Sequence, residues 1–147
     1  MRQVKDLLKS KGNQIWSTSP ESSVFDALQL MADKDVGVLL VIQDDKLVGI
    51  FSERDYARKV ILKGKASKET TVKDIMSTKV LYVSPEQTLD ECMALMTEKH
   101  LRHLPVYDDK DLVGLISIGD VIKAIISGQK IEISQLENYI KGLLYGY

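Results

Sequence analysis

Two short strings in this chain set a hydroxyl and a carboxylate three residues apart: Ser52-x-x-Asp55 and Ser117-x-x-Asp120. Each follows a glycine and two apolar residues, as Gly49-Ile50-Phe51-Ser52-Glu53-Arg54-Asp55 and Gly114-Leu115-Ile116-Ser117-Ile118-Gly119-Asp120. A serine at a helix start with a carboxylate in the first turn satisfies two free amides, which is a capping box. The same arrangement can also hold a ligand. The free amides and partial positive charge of a helix N-terminus attract phosphate. The serine adds a hydroxyl donor, and the carboxylate can accept hydrogen bonds from the vicinal hydroxyls of a ribose, a pair that deoxyribose lacks. The residues alone leave both readings open.

Local charge separates the two strings. Arg102 and His103 stand just before Leu104-Pro105 in the second half, where the first half has the uncharged Gly37 and Val38. The Ser117–Asp120 string is therefore the better phosphate site. Arg54 and Arg58 flank the first string. These arginines read first as part of a solvated helix face; the alternative is that one reaches a second phosphate, as in a dinucleotide, since a guanidinium fork binds phosphate oxygens in pairs. No Ser-His-Asp set, paired carboxylates or phosphate loop is present, so no catalytic residue is assigned and an enzyme is not expected. His100 and His103 lack the further His or Cys residues that a metal site needs, so no metal is expected. Cys92 is the only cysteine and falls on an apolar helix face with Met93 and Met96, which reads as packing.

Positioning these groups takes a recurring set of elements, and the chain carries that set twice. A shift of 65 residues lays Ser19-Pro20-Glu21 on Ser84-Pro85-Glu86 and Leu47-Val48-Gly49 on Leu112-Val113-Gly114. Upstream, Val4-Lys5-Asp6-Leu7-Leu8 matches Val72-Lys73-Asp74-Ile75-Met76 at a shift of 68. Repeat 1 is thus 1–66 and repeat 2 is 67–130, with 131–147 left as a C-terminal amphipathic helix carrying Ile133, Leu136 and Ile140. Ser23-x-x-Asp26 and Thr88-x-x-Glu91 are further capping boxes, each opening a helix with one apolar face. The apolar, β-branched runs 36–42 and 101–107 read as buried strands. Asp44-Asp45 and Asp109-Lys110 then turn each strand into a hairpin. The order strand, helix, strand, strand, helix, twice over, makes the fold class α/β (α+β). One repeat is too small to close a good core, so the two are expected to pack together with pseudo-two-fold symmetry.

Composition narrows the function. The chain has 147 residues, with 20 basic against 21 acidic side chains, 44% hydrophobic and 28% charged residues. That balance belongs to a folded globular protein. A net charge of −1 disfavours bulk nucleic-acid binding, which needs an excess of Lys and Arg. The longest apolar runs fall far short of the roughly 20 residues that a membrane helix needs. Arg2, Lys5 and Asp6 interrupt the start, so no signal-peptide core is read there and a cytoplasmic location is expected.

The doubled Gly-hydrophobic-hydrophobic-Ser-x-x-Asp string, with Arg102-His103-Leu104-Pro105-Val106-Tyr107-Asp108, resembles the CBS domain, and the tandem is similar to a CBS pair, or Bateman module. The resemblance spans about 130 of the 147 residues. It implies a non-catalytic regulatory module that binds an adenosine-containing ligand in clefts between the copies. AMP is the leading expectation, with ADP, ATP, S-adenosylmethionine or NAD as alternatives. By the family's crossed geometry, the Ser117–Asp120 cleft sets its base against Ile15, with Val36 nearby. The Ser52–Asp55 cleft draws on Thr78 to Val80, and Gly37 leaves it room for a larger ligand. The resemblance also implies a homodimer that signals to a protein target in trans. An interaction scaffold with empty or vestigial clefts is the alternative.

Overall fold

The structure, a computed structural model, describes residues 2–145, with side chains through 142. Its elements run α1 (Val4–Lys11), β1 (Ser17–Thr18), α2 (Val24–Lys34), β2 (Val38–Gln43), β3 (Lys46–Ser52), α3 (Glu53–Lys59), α4 (Val72–Ile75), α5 (Leu89–Lys99), β4 (His103–Asp108), β5 (Asp111–Ser117) and α6 (Ile118–Tyr145). The two CBS-like repeats and a C-terminal helix are present, in a mixed α and β architecture. Each repeat also opens with a further helix, α1 or α4, that the strand-first order did not include.

Local chemistry sets the helix boundaries. The Ser23 hydroxyl accepts a bond from the Asp26 amide at 3.0 Å and opens α2. Thr88 and Glu91 cap each other reciprocally at the start of α5. Both helices end on a left-handed residue, Asp35 (φ 54°) and His100 (φ 55°). The next amides, of Val36 and Leu101, reach back to the Met31 and Met96 carbonyls at 3.0 and 2.9 Å. This is the six-to-one bond of a Schellman motif, so residues 36 and 101 finish a helix. The strands therefore begin at Val38 and His103, two residues later than the apolar runs predict.

Both hairpins form. β2 pairs antiparallel with β3, and β4 with β5, each with one irregularity at matching places, Val41/Ile42 and Val106/Tyr107. Asp44 and Asp45 take left-handed angles in the first turn, as a tight two-residue hairpin loop requires. The entry strands are slight. β1 is two residues long and pairs parallel with β2, and its counterpart is a single bridge from Val83 to Val106. The tail 131–147 is helical through Tyr145 and continues α6 unbroken, while Gly146 and Tyr147 lie outside the described residues. Gly128, with open space around it, costs the helix only about 1 kcal/mol. Among the described residues, no helix is long and apolar enough to cross a membrane.

The chain divides into two compact units that do not coincide with the sequence repeats. One joins the segment up to Gln14 to everything from Tyr82 onward; the other is Ile15–Leu81. The reason is an exchange of leading helices. The Val4 and Lys5 amides of α1 bond the Gln87 and Pro85 carbonyls at 2.9 Å, and the Leu89 amide bonds the Arg2 carbonyl at 2.7 Å. At α4 the same lattice recurs, with Val72 on Ser22, Lys73 on Pro20 and Val24 on Thr70. Val4 and Leu7 thereby enter the core of Leu89, Cys92, Met96, Leu104 and Ile116. Val72 and Ile75 enter that of Val24, Met31, Leu39 and Phe51. Fully burying such a side chain is worth about 1.5–3 kcal/mol.

The glycine of each signature string is the seat for the visiting helix. A Cβ built on Gly114 would lie 2.7 Å from Leu8 Cδ2. On Gly49 it would lie 2.7 Å from Met76 Sδ and 3.0 Å from the Ser77 carbonyl oxygen. A side-chain tip can move aside, but a backbone oxygen held in the Ile50–Ser77 bridge cannot move so easily. Gly49→Ala should therefore lower the thermal midpoint more than Gly114→Ala, within the roughly 1–3 kcal/mol range of overpacking. In a double-mutant cycle, Leu8→Ala with Gly114→Ala should be less destabilised than the sum of the single changes.

Candidate functional site

In the unit built on α1, α5, β4, β5 and α6, strand pairing gathers the second signature. His103 lies directly opposite Ser117 in the β4–β5 ladder, and the Ile118 amide bonds the Arg102 carbonyl at 2.8 Å. The Ser117 hydroxyl accepts from the Asp120 amide at 3.0 Å, and Asp120 Oδ2 accepts from the Ser117 amide at 2.9 Å. Into this corner comes Lys11, carried by α1. Its ammonium donates to Asp120 Oδ2 at 2.5 Å and to the Leu115 carbonyl at 2.9 Å. Beside the pair lies a cavity of about 380 Å³ whose polar lining is Ser10, Lys11, Asp120, Lys123 and Ser127. A carboxylate, two ammonium groups and two hydroxyls around one cavity suit a ligand that is both anionic and hydroxylated.

Charge balance here is tight. Burial alone would push the Asp120 carboxyl up, but the Lys11 and Ser117 hydrogen bonds and the Lys11 charge hold it below the usual carboxylate range. Burial lowers the His103 imidazole, reinforced by Lys11 and Arg102 and opposed by Asp120.

The first signature folds alike but closes on itself. The Ser52 hydroxyl accepts from the Asp55 amide at 3.2 Å, while Asp55 Oδ2 accepts from the Ser52 amide at 3.0 Å and its hydroxyl at 3.1 Å. The other oxygen, Oδ1, faces Lys59 Nζ at 3.1 Å and the Ser77 hydroxyl at 3.5 Å. Asp55 is 13% exposed, against 28% for Asp120. Here the lysine comes from α3 itself; the matching position in α6 is Ala124, which leaves the cavity beside Asp120 open.

Of the residues read from sequence, Arg102, His103, Ser117 and Asp120 come together in one unit, and Ile15 and Val36 belong to the other. Thr78 and Val80 share the unit of Ser52 and Asp55, where the Val80 amide bonds the Thr78 carbonyl at 3.0 Å next to Ser77. Gly37 and Val36 line a separate cavity of about 590 Å³ with Glu53 and Tyr56, on the face of α3 away from Asp55. An added Cβ at Gly37 would meet Glu53 Oε1 at 3.2 Å. Arg54 and Arg58 are exposed on α3. Lys11, Lys123, Ser10 and Ser127 were missed. Lys123 carried one signal, since a shift of 65 lays it on Arg58. Cys92 is buried, and burial pushes its thiol up to about 11, as fits packing.

The CBS domain family model matches residues 4–62 and 72–127. A mitochondrial CBS domain-containing protein of Arabidopsis thaliana, CBSX3, is 40% identical over 149 residues, covering 95% of this chain and 72% of that protein. A solved structure of a protein with CBS domains from Burkholderia ambifaria superposes with a TM-score of 0.83 at 52% identity, over 86% of this chain and 96% of that one. The CBS-domain protein ATU1752 of Agrobacterium tumefaciens gives a TM-score of 0.79 at 36% identity, over 83% and 98%.

The two shifted groups act in different pH windows. A depressed histidine binds its proton more readily unfolded, so its contribution is complete above pH about 6.5 and falls away below it. The depressed Asp120 contributes fully above its ordinary value near 4 and loses that contribution as pH falls further. His103→Gln should flatten the loss of stability between pH 7 and pH 5, and Asp120→Asn should flatten only the further loss below pH about 4. Urea midpoints measured from pH 7 down to pH 3 check both.

Proposed function

The chain belongs to the CBS-domain family, and from that premise we propose that it is a non-catalytic regulatory module that binds an adenosine-containing ligand and reports to a protein target in trans. AMP leads, with ADP, ATP and NAD as alternatives. The single observation that carries this reading is the Lys11–Asp120 pair beside the 380 Å³ cavity. Asp120 Oδ2 is occupied by Ser117 and Lys11, which leaves Oδ1 to a ribose hydroxyl. A phosphate reaching Lys11, Lys123 or Arg102 offers the cation a second anionic partner and loosens its hold on the carboxylate. The ion pair thus gives way to the two ends of one nucleotide, anion to lysine and diol to aspartate. The Asp55 site is the weaker of the two, because Lys59 and Ser77 already occupy its second oxygen. We also propose a homodimer in the cytoplasm, where a single buried thiol stays reduced.

The interaction-scaffold reading draws on Asp55, whose bonds are those of a cap. Thermal shift of the purified protein with AMP, ADP, ATP, NAD, S-adenosylmethionine and GTP separates the two. A specific ligand at 100 times its Kd stabilises by about 2.7 kcal/mol. Asp120→Ala should abolish most of that shift and Asp55→Ala should spare part of it. Lys11→Met should weaken AMP while leaving adenosine nearly unchanged. No shift with any nucleotide would sink the sensor reading and leave the scaffold.

A further inference from the structure

Helix α6 outlasts the body that it belongs to. Twenty-eight residues at about 1.5 Å each reach about 42 Å, and every residue from 129 to 141 is exposed. Exposed apolar side chains are ordinary when scattered, but these follow a line. Ile122, Ile126, Ile133, Leu136 and Ile140 are 42–59% exposed, and with Gln129 they recur at alternating steps of four and three. That is a heptad seam, with Ile126, Ile133 and Ile140 at one core position and Ile122, Gln129 and Leu136 at the other. The seam thus carries five apolar side chains and one polar one, Gln129.

Charges flanking the seam choose the direction. Two parallel helices would set Glu132 of each against the partner's Glu137, and like charges there repel. Glu132 already bonds Arg2 of its own chain at 2.6 Å, in an exposed pair that moderates the repulsion without reversing it. Antiparallel helices instead place Lys130 beside the partner's Glu137, twice by symmetry. In that register Ile133 packs on the partner's Leu136, and Gln129 lies towards the end of the seam, where water reaches its amide. We infer that a second copy of this chain covers the outer part of the stripe, with residues 129–140 of α6 paired antiparallel about a two-fold axis between 134 and 135. This rests on the homodimer proposed above and gives it a geometry.

Sedimentation velocity of the full chain over a concentration series tests it. The wild-type chain should be a dimer, and Ile133→Asp or Leu136→Asp a monomer with an unchanged thermal melt, since both side chains lie outside either core. Glu137→Lys should raise the dimer Kd tenfold or more by setting lysines against each other, and Lys130→Glu with Glu137→Lys should restore it. Tightening by Glu137→Lys would mean parallel helices and overturn the inference. A dimer indifferent to Ile133→Asp would also overturn it, placing the contact elsewhere and leaving the homodimer standing. A monomeric wild-type chain would overturn both, assigning the stripe to another protein or to none.

Discussion

The Leu89 amide, first in α5, finds its partner on the Arg2 carbonyl, and the Val24 amide, first in α2, finds one on Thr70. A helix start exposes unpaired donors, and a buried one left without an acceptor costs on the order of 1–3 kcal/mol. The capping hydroxyls of Thr88 and Ser23 answer some of these donors. The rest of the fold is arranged so that a segment from the other repeat answers the others. Once that segment is fixed, the visiting helix must lie over the hairpin, its apolar residues must enter the core, and Gly49 and Gly114 must carry no side chain.

The same constraint shapes the site. Lys11 reaches Asp120 only because α1 is anchored at Gln87 and Pro85, so the cation arrives with the helix. In the other unit α4 is four residues long, and Lys59, from α3 itself, bridges Asp55 and the Ile75 carbonyl. Both aspartates are neutralised, but by lysines from different directions. Where the lysine comes from the same helix it fills the space beside the carboxylate. Where it comes from α1, a small residue, Ala124, stands in its place and a cavity remains.

What the sequence made legible was local. Capping boxes depend on residues three apart, and hairpins on an Asp-rich turn between apolar runs, so both were readable. The hairpins formed, and so did the boxes, save that Ser23–Asp26 makes only its hydroxyl half. Val36 and Leu101 misled because an apolar residue that closes a Schellman motif looks like the first residue of a strand. The helix exchange was out of reach, since it joins backbone groups more than forty residues apart and leaves no mark on side-chain periodicity. With it went Lys11, an unremarkable cation near a helix end until its helix is placed. The signature glycines were visible as a pattern, while their purpose depended on Leu8 and Met76.

The exchange also bears on how such a chain could have arisen. Each repeat carries both a leading helix and the carbonyls that receive one, yet each helix docks on the other repeat's carbonyls. Two separate copies trading leading helices would make both dockings, as a pair of short polypeptides. Fusing their genes then turns an intermolecular embrace into an intramolecular one, independent of concentration.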